Sequence, residues 1–134
     1  MMKNKVLIVL AVFVSAVLGS GPASAHHSLS PYDMQHMITM KGTVTAFNFI
    51  NPHVAILVDV KNDKGNTEKW QMDLLAPNRL IRLGWNAESL KTGDQVTVYC
   101  HLYKDGRKIA YVDKVVLANG QELSNRTTNA GDAA

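Results

Sequence analysis

"APNRLIRLGW", residues 76–85, decides the fold. The chain on either side alternates apolar and polar residues at period two, the mark of half-buried strands. This stretch does not. Pro77 suits the first position of a helix, where its missing N–H is not needed. Leu80, Ile81 and Leu83 follow within a turn, and Gly84 can end the helix. The spacing predicts one short helix over about residues 77–83, set into a chain of strands.

Upstream, "ITMKGTVTAFNFI" (38–50) is rich in β-branched and aromatic residues, and Gly42 inside it marks a bulge or a sharp bend. "NPH" (51–53) is a turn. In "HVAILVDVK" (53–61), Val54, Ile56, Val58 and Val60 share one face. "NDKG" (62–65) is a hairpin turn, and "NTEKWQMDLL" (66–75) returns with Trp70, Met72 and Leu74 on one face. Downstream, "NAESLKTGD" (86–94) is a loop in which Leu90 plugs the core. "DQVTVYCHLY" (94–103) sets Val96, Val98 and Cys100 opposite Thr97, Tyr99, His101 and Tyr103. After the "KDGRK" turn, "IAYVDKVVLA" (109–118) is the fifth strand. Three strands, a helix and two strands define an all-β fold with one short helix, a small five-stranded Greek-key barrel of the OB type. Another small barrel or a β-sandwich missing strands has a similar signature. The fold class does not name a ligand.

The N-terminus reads as a secretory signal. Lys3 and Lys5 precede the apolar run "VLIVLAVFVSAVLG" (6–19), and "ASA" (23–25) has the form of a cleavage site. That run is about 14 residues, short of the roughly 20 that span a bilayer. Cleavage after Ala25 makes the protein periplasmic or secreted, without membrane insertion. The expected organisation is a signal peptide (1–25), an N-terminal arm (26–37), the barrel (38–123) and a disordered polar tail (124–134).

Removing the signal changes the charge balance. The full chain has 14 basic and 11 acidic residues, and the loss of Lys3 and Lys5 leaves it near neutral. A near-neutral domain without a basic run carries no electrostatic footprint for nucleic acid. Cys100 is the sole cysteine, so no internal disulfide can form. It lies in an apolar strand and reads as a buried thiol. No nucleophile stands at motif spacing from a base, and there is no phosphate loop. The aspartates, Asp73 and Asp113 among them, read as turn or solvated residues. No catalytic residue is assigned, and an enzyme would need an open metal position.

Histidine offers the remaining chemistry. After cleavage the chain begins His26-His27. An α-amine with a pKa near 8 yields its proton to a metal at neutral pH. The amine and His26 Nδ1 can chelate one ion, His27 offers a competing mode, and His53 can supply a third nitrogen. Amine and imidazole nitrogens suit copper(II). His101, alone on a strand, reads as a surface or satisfied residue. Met34, Met37 and Met40 recur every third residue around His36, and thioether with imidazole suits copper(I); gap-filling by flexible methionine is the plainer account.

Several short motifs together resemble a family. "HHS" after a signal peptide, an aromatic-Asp pair, "KGTVT", "NPH", "LGW", "LKTGDQVTV" and a late "DG" turn are similar to small exported bacterial proteins catalogued as a domain of unknown function. The resemblance spans nearly all of residues 26–123. It implies that His26, His27, Ser28, Tyr32, Asp33, Asn51, Pro52, His53 and Trp85 match the pattern. Tyr32 stands where that family often has Phe, and the methionine run with His36 departs from it. The resemblance brings no activity.

The function expected is therefore an exported, soluble, copper-binding protein with His26, His27 and His53 as ligands. The alternative is a periplasmic OB-type module that binds a small ligand or a protein partner without metal. It would use Phe47, Phe49, Trp70 and Tyr99, residue types that are more often core.

Overall fold

The computed structural model describes residues 28–126. The elements are β1 (Ile38–Asn48), β2 (Ala55–Lys61), β3 (Thr67–Asp73), α1 (Pro77–Arg82), β4 (Gln95–Leu102), β5 (Ile109–Leu117) and β6 (Glu122–Ser124). The strands run β3-β2-β1-β4-β5, and a β3–β5 pairing closes them into a five-stranded barrel. The barrel and its short helix are those predicted from the strand–helix–strand order.

The long strand β1 serves two partners. Its first half pairs with β4 and its second half with β2, and Gly42 pairs with both Val96 and Val60. A Cβ on Gly42 would lie 2.5 Å from the Asp59 carbonyl oxygen, so the bend needs glycine. The register shift in β1 falls a few residues on, between Val44 and Ala46. The alternating faces meet inside: Val54, Ile56, Val58, Met72, Val96, Val98, Cys100, Ala110 and Val112 form the core.

Helix α1 stops one end of the barrel. Pro77 opens it, and Leu80 is its buried residue. Gly84 adopts φ +92°. Its N–H donates to the Ile81 carbonyl at 3.1 Å, and Trp85 N–H donates to the Leu80 carbonyl at 3.0 Å. This is a Schellman ending, and the buried Leu80 and Trp85 are its apolar pair. Trp85 Nε1–H also donates to the Ser124 carbonyl at 2.7 Å.

The closing seam is short. Only Gln71, Met72 and Asp73 pair with Ile109, Ala110 and Tyr111, in parallel. Further along the same edge of β5, Lys114–Val116 pair with β6 instead. Asn125 fills the gap between the two partners. Its N–H donates to Asp113 O at 2.8 Å, its side-chain Nδ2 donates to Val112 O at 2.7 Å, and its Oδ1 accepts from Leu75 N–H at 3.0 Å. Residues 124–126, expected in a disordered tail, thus belong to the fold. Composition favoured a tail because the segment is polar, but a polar side chain is what a gap in a ladder needs. Residues 127–134 of the expected tail lie outside the described residues.

Asn125→Ala leaves Leu75 N–H and Val112 C=O without partners in the interior. We expect a loss of about 2–6 kcal/mol of unfolding free energy, at about 1–3 kcal/mol per buried orphan, read from urea denaturation.

Candidate functional site

The chain before β1 docks on the outside of the barrel. Asp33 N–H donates to Leu102 O, and Lys104 N–H donates to Pro31 O, each at 2.8 Å. Tyr32 bridges to Tyr103. The Tyr32 ring meets Tyr103 edge-on at 5.2 Å and Tyr111 at 5.5 Å. Tyr111 faces outward because its neighbours Ala110 and Val112 fill the core.

Asp73 is the centre of this face. It ends β3 opposite Tyr111 across the seam, and it is 8% exposed. Its carboxylate accepts from Tyr32 Oη–H and from Gln71 Nε2, each at 2.7 Å. His53 Nε2 lies 3.6 Å from Asp73 Oδ1, which leaves His53 Nδ1 as the ring nitrogen turned from the carboxylate. His53 follows the cis Asn51–Pro52 bond and precedes β2. Burial, then the hydrogen bond to Asp73, push the Tyr32 phenol well above the ordinary tyrosine range.

A cleft of about 580 Å³ opens beside these groups. Ser28, Tyr32, His53, Asp73, Arg79 and Tyr111 supply its polar and aromatic wall. Apolar surface comes from Leu29, Pro52, Leu74 and Leu75. Ser28, the first described residue, therefore lines the same cleft as His53.

A second polar cluster lies under the arm. His101 is buried, and its Nδ1 faces Asp33 O at 3.2 Å and His36 O at 3.0 Å. Carbonyls only accept, so Nδ1 carries the proton. Nε2 points toward Asp113 Oδ1 at 3.6 Å, and Asp113 also pairs with Arg126. Asp113 is the extra residue where β5 shifts register against β4 between Tyr99 and Cys100. His101 is thus a satisfied structural residue that fastens the arm, as the reading of a lone strand histidine expects.

Of the predicted ligands, His53 is in the cleft, while His26 and His27 lie outside the described residues. Among the described residues, no three His, Cys, Asp or Glu side chains are grouped to hold a metal ion. Cys100 is fully buried in the core, and burial pushes its thiol up to about 12. Phe47, Phe49 and Trp70 pack against the core, as their residue types suggest. The methionines divide: Met40 packs on the core, whereas Met34 and Met37 are exposed. The sequence reading of Asp73 and Asp113 as turn or solvated residues is corrected. Both are largely buried and sit in strands, because each is satisfied by a side chain distant in sequence. The one local signal was a charged residue between apolar ones at a strand end, in "MDLL".

The chain belongs to a family of unknown function, DUF6152, whose family model matches residues 14–111. No curated protein matches it. Among the described residues no helix is long and apolar enough to cross a membrane.

The raised Tyr32 pKa has a defined sign. The unfolded chain loses the phenol proton near pH 10, and the folded chain keeps it. Stability therefore falls as pH rises above about 10, and Tyr32→Phe makes that fall shallower in urea titrations at stepped pH. Cys100 stays unreactive to a disulfide reagent at pH 8 in the folded protein and reacts fully in denaturant, since the thiolate is the nucleophile.

Proposed function

We propose that this DUF6152 member is an exported copper-binding protein whose site forms where its processed N-terminus meets the His53–Asp73 cleft. Cleavage after Ala25 would leave His26 as the terminal residue, with its α-amine and imidazole as one chelating arm. His53 is the further ligand, because its Nδ1 is turned from Asp73 and an imidazole nitrogen suits copper(II). His27 is the competing first-arm ligand.

The observation that carries the reading is the placement of Ser28 in the wall of the cleft that holds His53. Two residues of chain reach at most about 7 Å, so a chain cut after Ala25 would begin within that reach of Ser28. The surroundings fit the donor set. Asp73 faces His53 Nε2, and a carboxylate behind an imidazole fixes its tautomer and strengthens the opposite nitrogen as a ligand. Tyr32 and Gln71 hold that carboxylate in turn. Bound copper would supply a cationic centre for binding or delivery. Within the chain, Asp73 orients His53 and the arm contacts hold Ser28 at the cleft.

The test is a copper(II) titration of the protein purified without an N-terminal tag, its mass first shown to start at His26. One tight equivalent is expected, lost in His26→Ala and in a chain with one extra residue before His26. Asp73→Asn weakens binding about 10-fold to 100-fold, as loss of a partner behind a ligand does. Full affinity in the extended chain overturns the terminal site. Affinity unchanged in His53→Ala removes His53 from it.

A further inference from the structure

The loop between the arm and β1, residues 34–37, exposes side chains whose arrangement the cleft does not explain. Met34 and Met37 are 40% and 53% exposed, and His36 lies between them with its side chain 76% exposed. Exposed methionine gains nothing from burial. Met40, three residues on, shows the ordinary use of the residue, packed against the core.

The loop is also held in place. Asp33 Oδ2 accepts a hydrogen bond from His36 Nδ1 at 2.8 Å, and His36 N–H donates to Asp33 O at 3.3 Å. The hydrogen bond from His36 holds the Asp33 carboxyl below the usual carboxylate range. Gln35 N–H donates to the other Asp33 oxygen at 3.3 Å. From beneath, buried His101 donates to the carbonyls of both Asp33 and His36. With its Nδ1–H given to the Asp33 carboxylate, His36 has Nε2 as the ring nitrogen left to bind an ion. That is the arrangement in which protein histidines bind metals.

We propose that Met34, His36 and Met37 form a second metal site, for copper(I), on the arm loop. Two thioethers and one imidazole are a soft, neutral donor set that suits copper(I) and disfavours hard divalent cations. Met34 and Met37 flank His36 on one short loop, and three rotatable bonds let each sulfur turn toward Nε2. Asp33 and His101 act through His36 and the loop carbonyls as positioning residues. The site shares no residue with the cleft, so it stands or falls independently of the N-terminal copper(II) site.

The experiment titrates copper(I) anaerobically against a chromophoric chelator, in the full exported chain and in a form with an extra residue before His26. Both should withhold one equivalent from the chelator. The paired change Met34→Leu with Met37→Leu keeps apolar bulk at exposed positions and should abolish that equivalent, as should His36→Gln. Asp33→Asn should weaken it about 10-fold. In methyl NMR spectra, the Met34 and Met37 methyls should shift on copper(I) addition while Met40 stays fixed. Failure of either chain to retain copper(I), equal retention in the double methionine variant, or a Met40 shift without Met34 and Met37 overturns the site. A copper(I) site lost only in the extended chain overturns it too, and assigns the metal to the N-terminus.

Discussion

The barrel depends on a seam of three residue pairs. Every other ladder between neighbouring strands is antiparallel, but β3 meets β5 in parallel, and only from Gln71 to Asp73. A closed sheet has no exposed edge, and closure here leaves β5 with one edge to be shared by β3 and β6. The two partners do not meet. Asn125 spans the interruption with backbone and amide hydrogen bonds, and so satisfies groups that would otherwise be buried bare. The interior valines and the Leu80–Trp85 stopper can be enclosed only once this seam is shut.

The candidate site is built on the outside of the same seam. Asp73 and Tyr111 are its last pair, and the side of each strand that does not face the core carries them outward. Tyr32 then packs at a tilt against Tyr111 and hydrogen-bonds Asp73, so the arm is tied to the seam directly. A second tie runs through His101, which reaches out from β4 to the loop carbonyls. The arm is thereby fixed at two points: beside the cleft by Tyr32 and at the loop by His101. The cleft and the methionine loop are two faces of one docked segment.

Much of the barrel was legible in the sequence because local patterns encode it. Valine alternation in "HVAILVDVK" and "DQVTVYCHLY" gave the inward faces, and Pro77 with Gly84 bounded the helix. What stayed hidden depends on which strands meet. Nothing near Asp73 in sequence says that Tyr32 will reach it from 41 residues away. Asn125 looks like tail composition until Leu75, 50 residues upstream, is placed beside it. Asp113 reads as a solvated residue until the shifted register turns it toward His101. Pattern reveals faces. It does not reveal pairings across a closed barrel.

The position of Asn125 in the chain has a consequence for timing. A polypeptide emerges N-terminus first, and contacts between distant segments must wait for the later one. Here the residue that completes the seam lies 50 positions after the Leu75 amide it satisfies. The strands can pair locally as they appear, but the gap in the seam stays open until Asn125 follows β5 and β6. A chain that stopped short of Asn125 would leave the Val112 carbonyl bare at the very point where the two partners of β5 part.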